Sequence, residues 1–200
     1  MKLYHCPPTR SNRVLWMLEE LDLPCERVPL SLRSREHKTE EHLARHPLGL
    51  VPALEDEGQT IVESAAIVVY LADKAGKLAP PVGSPLRGKL YQWMVYVPAN
   101  VDEVLETYMT QTRWLPEGKR DPKVAEAARE SFALHAHHLT GLLGKHPYLL
   151  GDEFSAADVI LGYAIQWASS MGLLENFPVL AAYLERLRAR PAYQRVWPAA

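Results

Sequence analysis

The sequence predicts two structural classes in one chain, an α/β unit followed by an all-helical one. Three observations predict it. Short apolar runs of strand length alternate with helical spacing up to about residue 76. Gly76 to Gly88 then interrupts the pattern with Pro80, Pro81, Gly83 and Pro85. Beyond that segment the apolar residues recur at helical spacing only. The boundaries follow as 1–76 for the first domain, 77–86 for a linker and 87–200 for the second domain.

Lys2 to Cys6 reads as a buried strand, and Cys6-Pro7-Pro8-Thr9-Arg10-Ser11-Asn12 as a loop. Val14, Met17, Leu18 and Leu21 repeat at helical spacing, with Thr9, Ser11 and Asn12 as available N-caps. Pro24 ends that helix, and Glu26 to Leu32 reads as a second strand, with Pro29 marking an edge. Ser34 to His46 is polar and basic and fits a short helix plus loop. Ala53 to Glu55 and Thr60 to Val62 form a hairpin around Asp56-Glu57-Gly58-Gln59, and Ser64 to Lys74 a closing helix. In the second domain, Ser84-Pro85 starts a helix running toward Trp114, and Asp121-Pro122 one reaching about Gly144. Ser155 and Asp158 have capping-box spacing, flanked by Phe154 and Val159 as a hydrophobic staple. The helix Ala156 to Ser170 carries few charges and is expected to be buried. Pro178 to Arg190 is a further helix, stopped by Pro191 and followed by a short terminal piece.

Composition narrows the function. With 200 residues, 48% hydrophobic and 23% charged, the chain has an ordinary globular balance. A net charge of -2 argues against nucleic-acid binding through a basic surface. Two cysteines, Cys6 and Cys25, imply no disulfide framework. There is no signal-peptide pattern and no membrane-length apolar run, so a cytoplasmic location without membrane attachment is expected. His135, His137 and His138 do not share one helix face and read as a solvated surface, so no metal site is expected.

Leu50 to Ser64 carries the sharpest functional signal. Val51 precedes Pro52, which disfavours helix and permits a cis bond. A cis bond would turn the Val51 backbone outward, free to pair with an extended peptide. Ser64 opens an apolar helix whose N-terminal N–H groups suit an anion. The stretch reads as a socket for a small peptide ending in a carboxylate.

The chain resembles the cytosolic glutathione transferases over nearly its whole length, with bacterial-type, phi/theta-like motifs. Thr9-Arg-Ser-Asn-Arg13 through Leu21 resembles the family's first loop and helix. Arg35-Glu36-His37-Lys38 followed by His46-Pro47-Leu48-Gly49-Leu50-Val51-Pro52-Ala53 is similar to the phi-class pattern. Glu63-Ser64 matches the Glu/Gln-Ser pair, and Leu150 to Asp158 the folding motif of the helical domain. The resemblance implies a thioredoxin-like domain that binds glutathione as co-substrate, a C-terminal helical-bundle domain, no further cofactor, and a homodimer. It implies that Val51 pairs its backbone with the cysteinyl moiety through the turn at Pro52. Glu63 and Ser64 would hold the γ-glutamyl end, and His37 and Lys38 the glycine carboxylate. Leu50 stands where the family often has Gln, so one side-chain contact is absent.

The chemistry also needs a group that stabilises the thiolate, because a free thiol near pKa about 8.5 is mostly protonated at neutral pH. Thr9 is the first candidate by theta-class spacing from Arg13, Ser11 the second and Asn12 the third. By phi-class spacing the position falls on Pro8. Arg10, Trp93, Tyr96 and Asn100 are candidates for the pocket of an apolar electrophile, alongside Val97 and Tyr108 on the same helix. Two alternatives stand beside conjugation. One is a glutathione-dependent thiol–disulfide oxidoreductase or peroxidase, with Cys6 or the bound thiol as the redox atom; the other is a non-catalytic glutathione-binding regulatory protein. Cys25 reads as structural.

Overall fold

The structure is a computed structural model that describes residues 1–198. It contains two compact units: Met1–Ala79 with the segment from Arg190 onward, and Pro80–Ala189. Among the described residues no helix is long and apolar enough to cross a membrane.

In the first unit, β1 (Lys2–His5), α1 (Ser11–Leu21) and β2 (Glu26–Pro29) form a crossover, and β1 pairs parallel with β2. A 3-10 turn (Glu36–Lys38) and α2 (Glu40–Arg45) follow. Then come β3 (Ala53–Asp56), β4 (Gln59–Val62) and α3 (Ser64–Ala75). The sheet order is β2-β1-β3-β4, with β3 antiparallel to both neighbours. β2 lies at the edge, as Pro29 requires, and stops there rather than at Leu32. The hairpin is tighter than the four-residue connection expected from the sequence. Asp56 pairs with Gln59, leaving only Glu57 and Gly58 in the loop, at φ 48° and 78°. Two positive φ values match the right-handed twist of the flanking strands.

Residues Ser11 to Leu18 of α1 are all buried, so this helix is packed on nearly every side. Part of that cover comes from the end of the chain. Pro191 does more than stop a helix: it opens α9 (Pro191–Val196) at a position where its missing N–H costs nothing. Trp16 packs edge-on against Tyr193 at 5.1 Å and Trp197 at 5.7 Å. Arg190 grips the Glu20 carboxylate through two bonds of 2.7 Å.

The second unit is helical throughout. Ser84 caps α4 (Pro85–Tyr96) by accepting from the Arg87 N–H. The same continuous helical run reaches Trp114, through a π-helical stretch (Val97–Asp102), α5 (Glu103–Met109) and a second π stretch (Thr110–Trp114). Pro98 lies in the first π stretch, where the ring removes a backbone donor and the helix widens. Asp121 caps α6 (Pro122–Leu143) through the Lys123 N–H at 2.9 Å. The three histidines on α6 are not simply solvated. The Tyr96 hydroxyl lies 2.7 Å from His135 Nδ1, and the His137 ring packs on Phe177 at 5.1 Å. They form no metal cluster among the described residues.

α7 (Ala156–Ser170) is the buried helix expected from its composition, and α8 (Pro178–Arg188) follows. Asp158 anchors the start of α7. Its carboxylate accepts from Leu149 N–H, Ser155 N–H and Ser155 Oγ, each at 2.9 Å, and from the Tyr183 hydroxyl at 3.0 Å. Burial pushes its pKa up to about 6, against the pull of these four donors.

Two outcomes follow. Asp158→Asn turns one acceptor atom into a donor facing another donor, and should destabilise the fold by about 2–4 kcal/mol in denaturant titration. The second concerns His5 and His46, both enclosed, with pKa values held below 6.5 chiefly by burial. As pH falls through the ordinary histidine value, the unfolded chain takes up protons that the folded chain refuses. Their stabilisation is therefore full at higher pH and is lost on acidification. The denaturation midpoint should drop between about pH 7.5 and 6, before protonation of Asp158 opposes the trend.

Candidate active site

The register of the sheet gathers distant segments at one end. Tyr4 lies opposite Ala53, and Ala53 opposite Val62. Cys6 leaving β1, Pro52 entering β3 and Glu63 leaving β4 therefore form neighbouring strand ends. The first turns of α1 and α3 open at the same end, and these helices pack together. Fully buried Arg13 of α1 points its guanidinium at Ser64 Oγ, 3.5 Å away.

Val51 is half-buried, and its bond to Pro52 is cis. Among the described residues neither its N–H nor its C=O has a hydrogen-bond partner. The preceding segment is held from behind. Lys38 Nζ donates to Leu48 O at 2.7 Å, His42 Nε2 to Leu50 O at 2.8 Å, and Gly49 N–H to His46 O at 2.6 Å. Gly49 has φ +57°, and a Cβ there would stand 2.5 Å from the His37 carbonyl oxygen. Only glycine permits that approach. Leu48, between these braces, is 70% exposed. His37 is half-buried, and desolvation, with Lys38, His42 and Arg35 nearby, pushes its pKa below the ordinary value.

Glu63 is exposed and holds φ 70° and ψ 113°, a backbone region that non-glycine residues rarely occupy. Such strain costs about 1–3 kcal/mol and gathers where a ligand is clamped. Ser64 begins α3 and is buried, and α3 has no side-chain cap on its first N–H groups.

The hydroxyl candidates differ sharply. Ser11 is fully enclosed, and its Oγ lies 3.1 Å from Cys6 N and 3.2 Å from Cys6 O. It ties α1 to the end of β1. Thr9 is half-buried; its Oγ1 lies 2.7 Å from Ser11 Oγ and accepts the Ser11 N–H at 3.2 Å. Asn12 is enclosed, and its Oδ1 has no partner among the described residues. Cys6 is half-buried, with its sulfur 3.8 Å from Pro7 O. Cys25 is half-buried too, and burial pushes its thiol up, away from the reactive thiolate. Pro8, like Val51–Pro52, follows a cis bond. Arg10 is half-buried just before α1.

Trp93, Tyr96 and Asn100 belong to the second unit. Trp93 is 2% exposed, with its ring against Tyr96 at 5.5 Å. The Tyr96 hydroxyl is engaged by His135, and exposed Asn100 donates to Tyr96 O at 3.1 Å. Trp93 is thus a packing residue of its own unit. Three contributors at the first unit's site escaped sequence reasoning: Arg13, His42 and Gly49. Arg13 carried a readable signal, a charge inside an otherwise apolar helix. The other two act through backbone contacts that no spacing encodes.

Residues 1–73 match the family model for the glutathione S-transferase N-terminal domain, and residues 122–186 that for its C-terminal domain. Glutathione S-transferase 3 of Zea mays is 31% identical, covering 98% of this chain and 92% of the relative. Glutathione S-transferase GstB of Escherichia coli (strain K12) is also 31% identical, over 94% of this chain and 92% of its own. A glutathione transferase family member from Pseudomonas fluorescens, solved with two glutathione bound, superposes with a TM-score of 0.91 at 26% identity. It covers 98% of this chain and 91% of that one. With both domain models matched and relatives of this similarity along almost the full length, the chain belongs to the glutathione S-transferase family of transferases.

Proposed function

We propose that this transferase conjugates the thiolate of glutathione to apolar electrophiles, using a glutathione site at the strand ends of the first unit. The observation that carries the reading is the convergence at one sheet end. An unpartnered backbone edge at Val51, an open helix start at Ser64 and a hydroxyl at the start of α1 lie together there. Val51, ahead of Pro52, pairs with the cysteinyl residue as an added strand would. Ser64 and the first N–H groups of α3 receive the γ-glutamyl carboxylate, and Glu63 its ammonium. Lys38, with His37 beside it, meets the glycine carboxylate.

Thr9 is the thiolate donor in this reading. Ser11 Oγ has one proton and two acceptors in reach, Cys6 O at 3.2 Å and Thr9 Oγ1 at 2.7 Å. When Ser11 donates to Thr9, the Thr9 proton is released for sulfur. The enclosed Ser11 thus relays orientation while the half-buried Thr9 faces the ligand. Arg10 borders the same loop and belongs to the electrophile's surroundings. The enzyme acts in the cytoplasm as a homodimer, in the removal of reactive apolar compounds.

Thr9→Ala should lower kcat for a chloronitrobenzene-type electrophile about tenfold or more, the equivalent of one unit of lost thiol pKa depression. Cys6→Ser should leave that rate unchanged; abolished reduction of hydroxyethyl disulfide in the same variant would favour the disulfide-exchange alternative. Ser64→Ala removes the hydroxyl contact to the carboxylate, and should raise KM for glutathione about tenfold with a smaller effect on kcat. Steady-state kinetics on the three variants, with retention on immobilised glutathione as the binding control, tests the assignment. No retention of the native protein would overturn it.

A further inference from the structure

We propose that His42 is a positioning residue for glutathione, acting through the peptide between Leu50 and Val51. The inference rests on the glutathione-binding role of Val51 proposed above.

The geometry starts with a tautomer. His42 is 1% exposed, and its Nε2 lies 2.8 Å from Leu50 O. A carbonyl can only accept, so Nε2 carries the proton. Nδ1 is buried with no partner among the described residues. The ring therefore serves a single carbonyl, through Nε2.

That carbonyl shares a rigid plane with the Val51 N–H. The Leu50–Val51 bond is not among the cis bonds, so it is trans, and a trans peptide points its C=O and N–H in opposite directions. Fixing Leu50 O toward His42 therefore fixes the Val51 N–H away from it. This is the N–H that has no internal partner. Without the histidine, the peptide plane would be free to rock, and the donor offered to the cysteinyl carbonyl would lose its aim.

His42 is itself clamped to the sheet. Thr39 caps α2 by accepting from the His42 N–H at 3.4 Å. The imidazole meets the Tyr4 ring edge-on at 6.0 Å. The Arg45 guanidinium covers Tyr4 at 4.1 Å and bonds Glu55 of β3 at 2.7 Å, while the Tyr4 hydroxyl donates to Glu55 at 3.1 Å. β1, α2 and β3 thus form a frame, and His42 carries its rigidity to the Val51 peptide.

The test compares native protein, His42→Phe and His42→Gln. Phenylalanine keeps the ring and loses the donor. Glutamine loses the ring but keeps an N–H donor at about the distance of Nε2. Glutathione affinity is measured by calorimetric titration, and kinetics with saturating electrophile separate KM from kcat. His42→Phe is expected to weaken glutathione binding about tenfold, with kcat at saturating glutathione falling less than twofold. His42→Gln is expected to recover most of the affinity. Equal affinity for native and His42→Phe, or loss of binding by a folded His42→Gln as severe as by His42→Phe, would overturn the proposal. If neither variant folds, the nitrogen-15 spectrum of the native ring decides: an Nε2–H tautomer supports the proposal, and an Nδ1–H tautomer overturns it. Failure of the native protein itself to bind glutathione would instead sink the reading of the site on which this inference rests.

Discussion

A backbone edge that binds a peptide must be both unpaired and immobile. These demands conflict, because the usual way to immobilise extended chain is to pair it within a sheet. At Val51, the edge proposed to bind the cysteinyl residue, the conflict is resolved from behind. Lys38, His42 and His46 each hold one backbone group of the Leu48–Leu50 segment, and glycine at 49 lets the His37 backbone press against it. The side away from these braces stays open. Much of the first unit serves this arrangement: the Tyr4–Arg45–Glu55 cluster fixes α2 on the sheet, and the two-residue hairpin sets where β4 delivers Glu63.

The chemistry proposed at sulfur depends on a second arrangement at the same sheet end. Ser11 closes the loop after β1 by accepting the Cys6 N–H, and its contact with Thr9 sets where that hydroxyl stands. In the proposed reaction this hydroxyl donates to the thiolate near the start of α1, where the helix dipole is also favourable. The two helix starts are coupled through Arg13 and Ser64. The serine proposed to hold the γ-glutamyl carboxylate and the helix that follows the proposed thiolate donor thus share a buried contact. In the second unit, Asp158 plays a comparable structural part, four donors converging on one enclosed carboxylate.

The parts of this fold legible in the sequence are those governed by local chemistry. The Ser84, Asp121 and Ser155 caps, the Val51–Pro52 turn, the edge position of Pro29 and the burial of α7 were all readable from residue type and spacing. What escaped was set by tertiary contact. The segment after Pro191 forms a helix because Trp16 and Glu20, some 170 residues away, supply an apolar surface and a carboxylate for it. The histidines of α6 are drawn into ring contacts by Tyr96 and Phe177, which helical periodicity on α6 alone does not reveal. At the candidate site, the cis Val51–Pro52 bond, the open backbone of Val51 and the helix start at Ser64 could be anticipated. The different surroundings of Thr9 and Ser11 could not, because they turn on which hydroxyl the loop encloses. His42 was hidden for a similar reason: its partner is a carbonyl, which every residue has.

The central claim is that this strand-end site binds glutathione and holds its sulfur as the thiolate. The most direct test is the pH titration of thiolate ultraviolet absorbance for glutathione bound to the native protein, referenced to the protein without ligand. The account requires the bound thiol to ionise at least about one unit below its free value near 8.5, with thiolate already abundant at neutral pH. A bound thiol that titrates at its free value would contradict it.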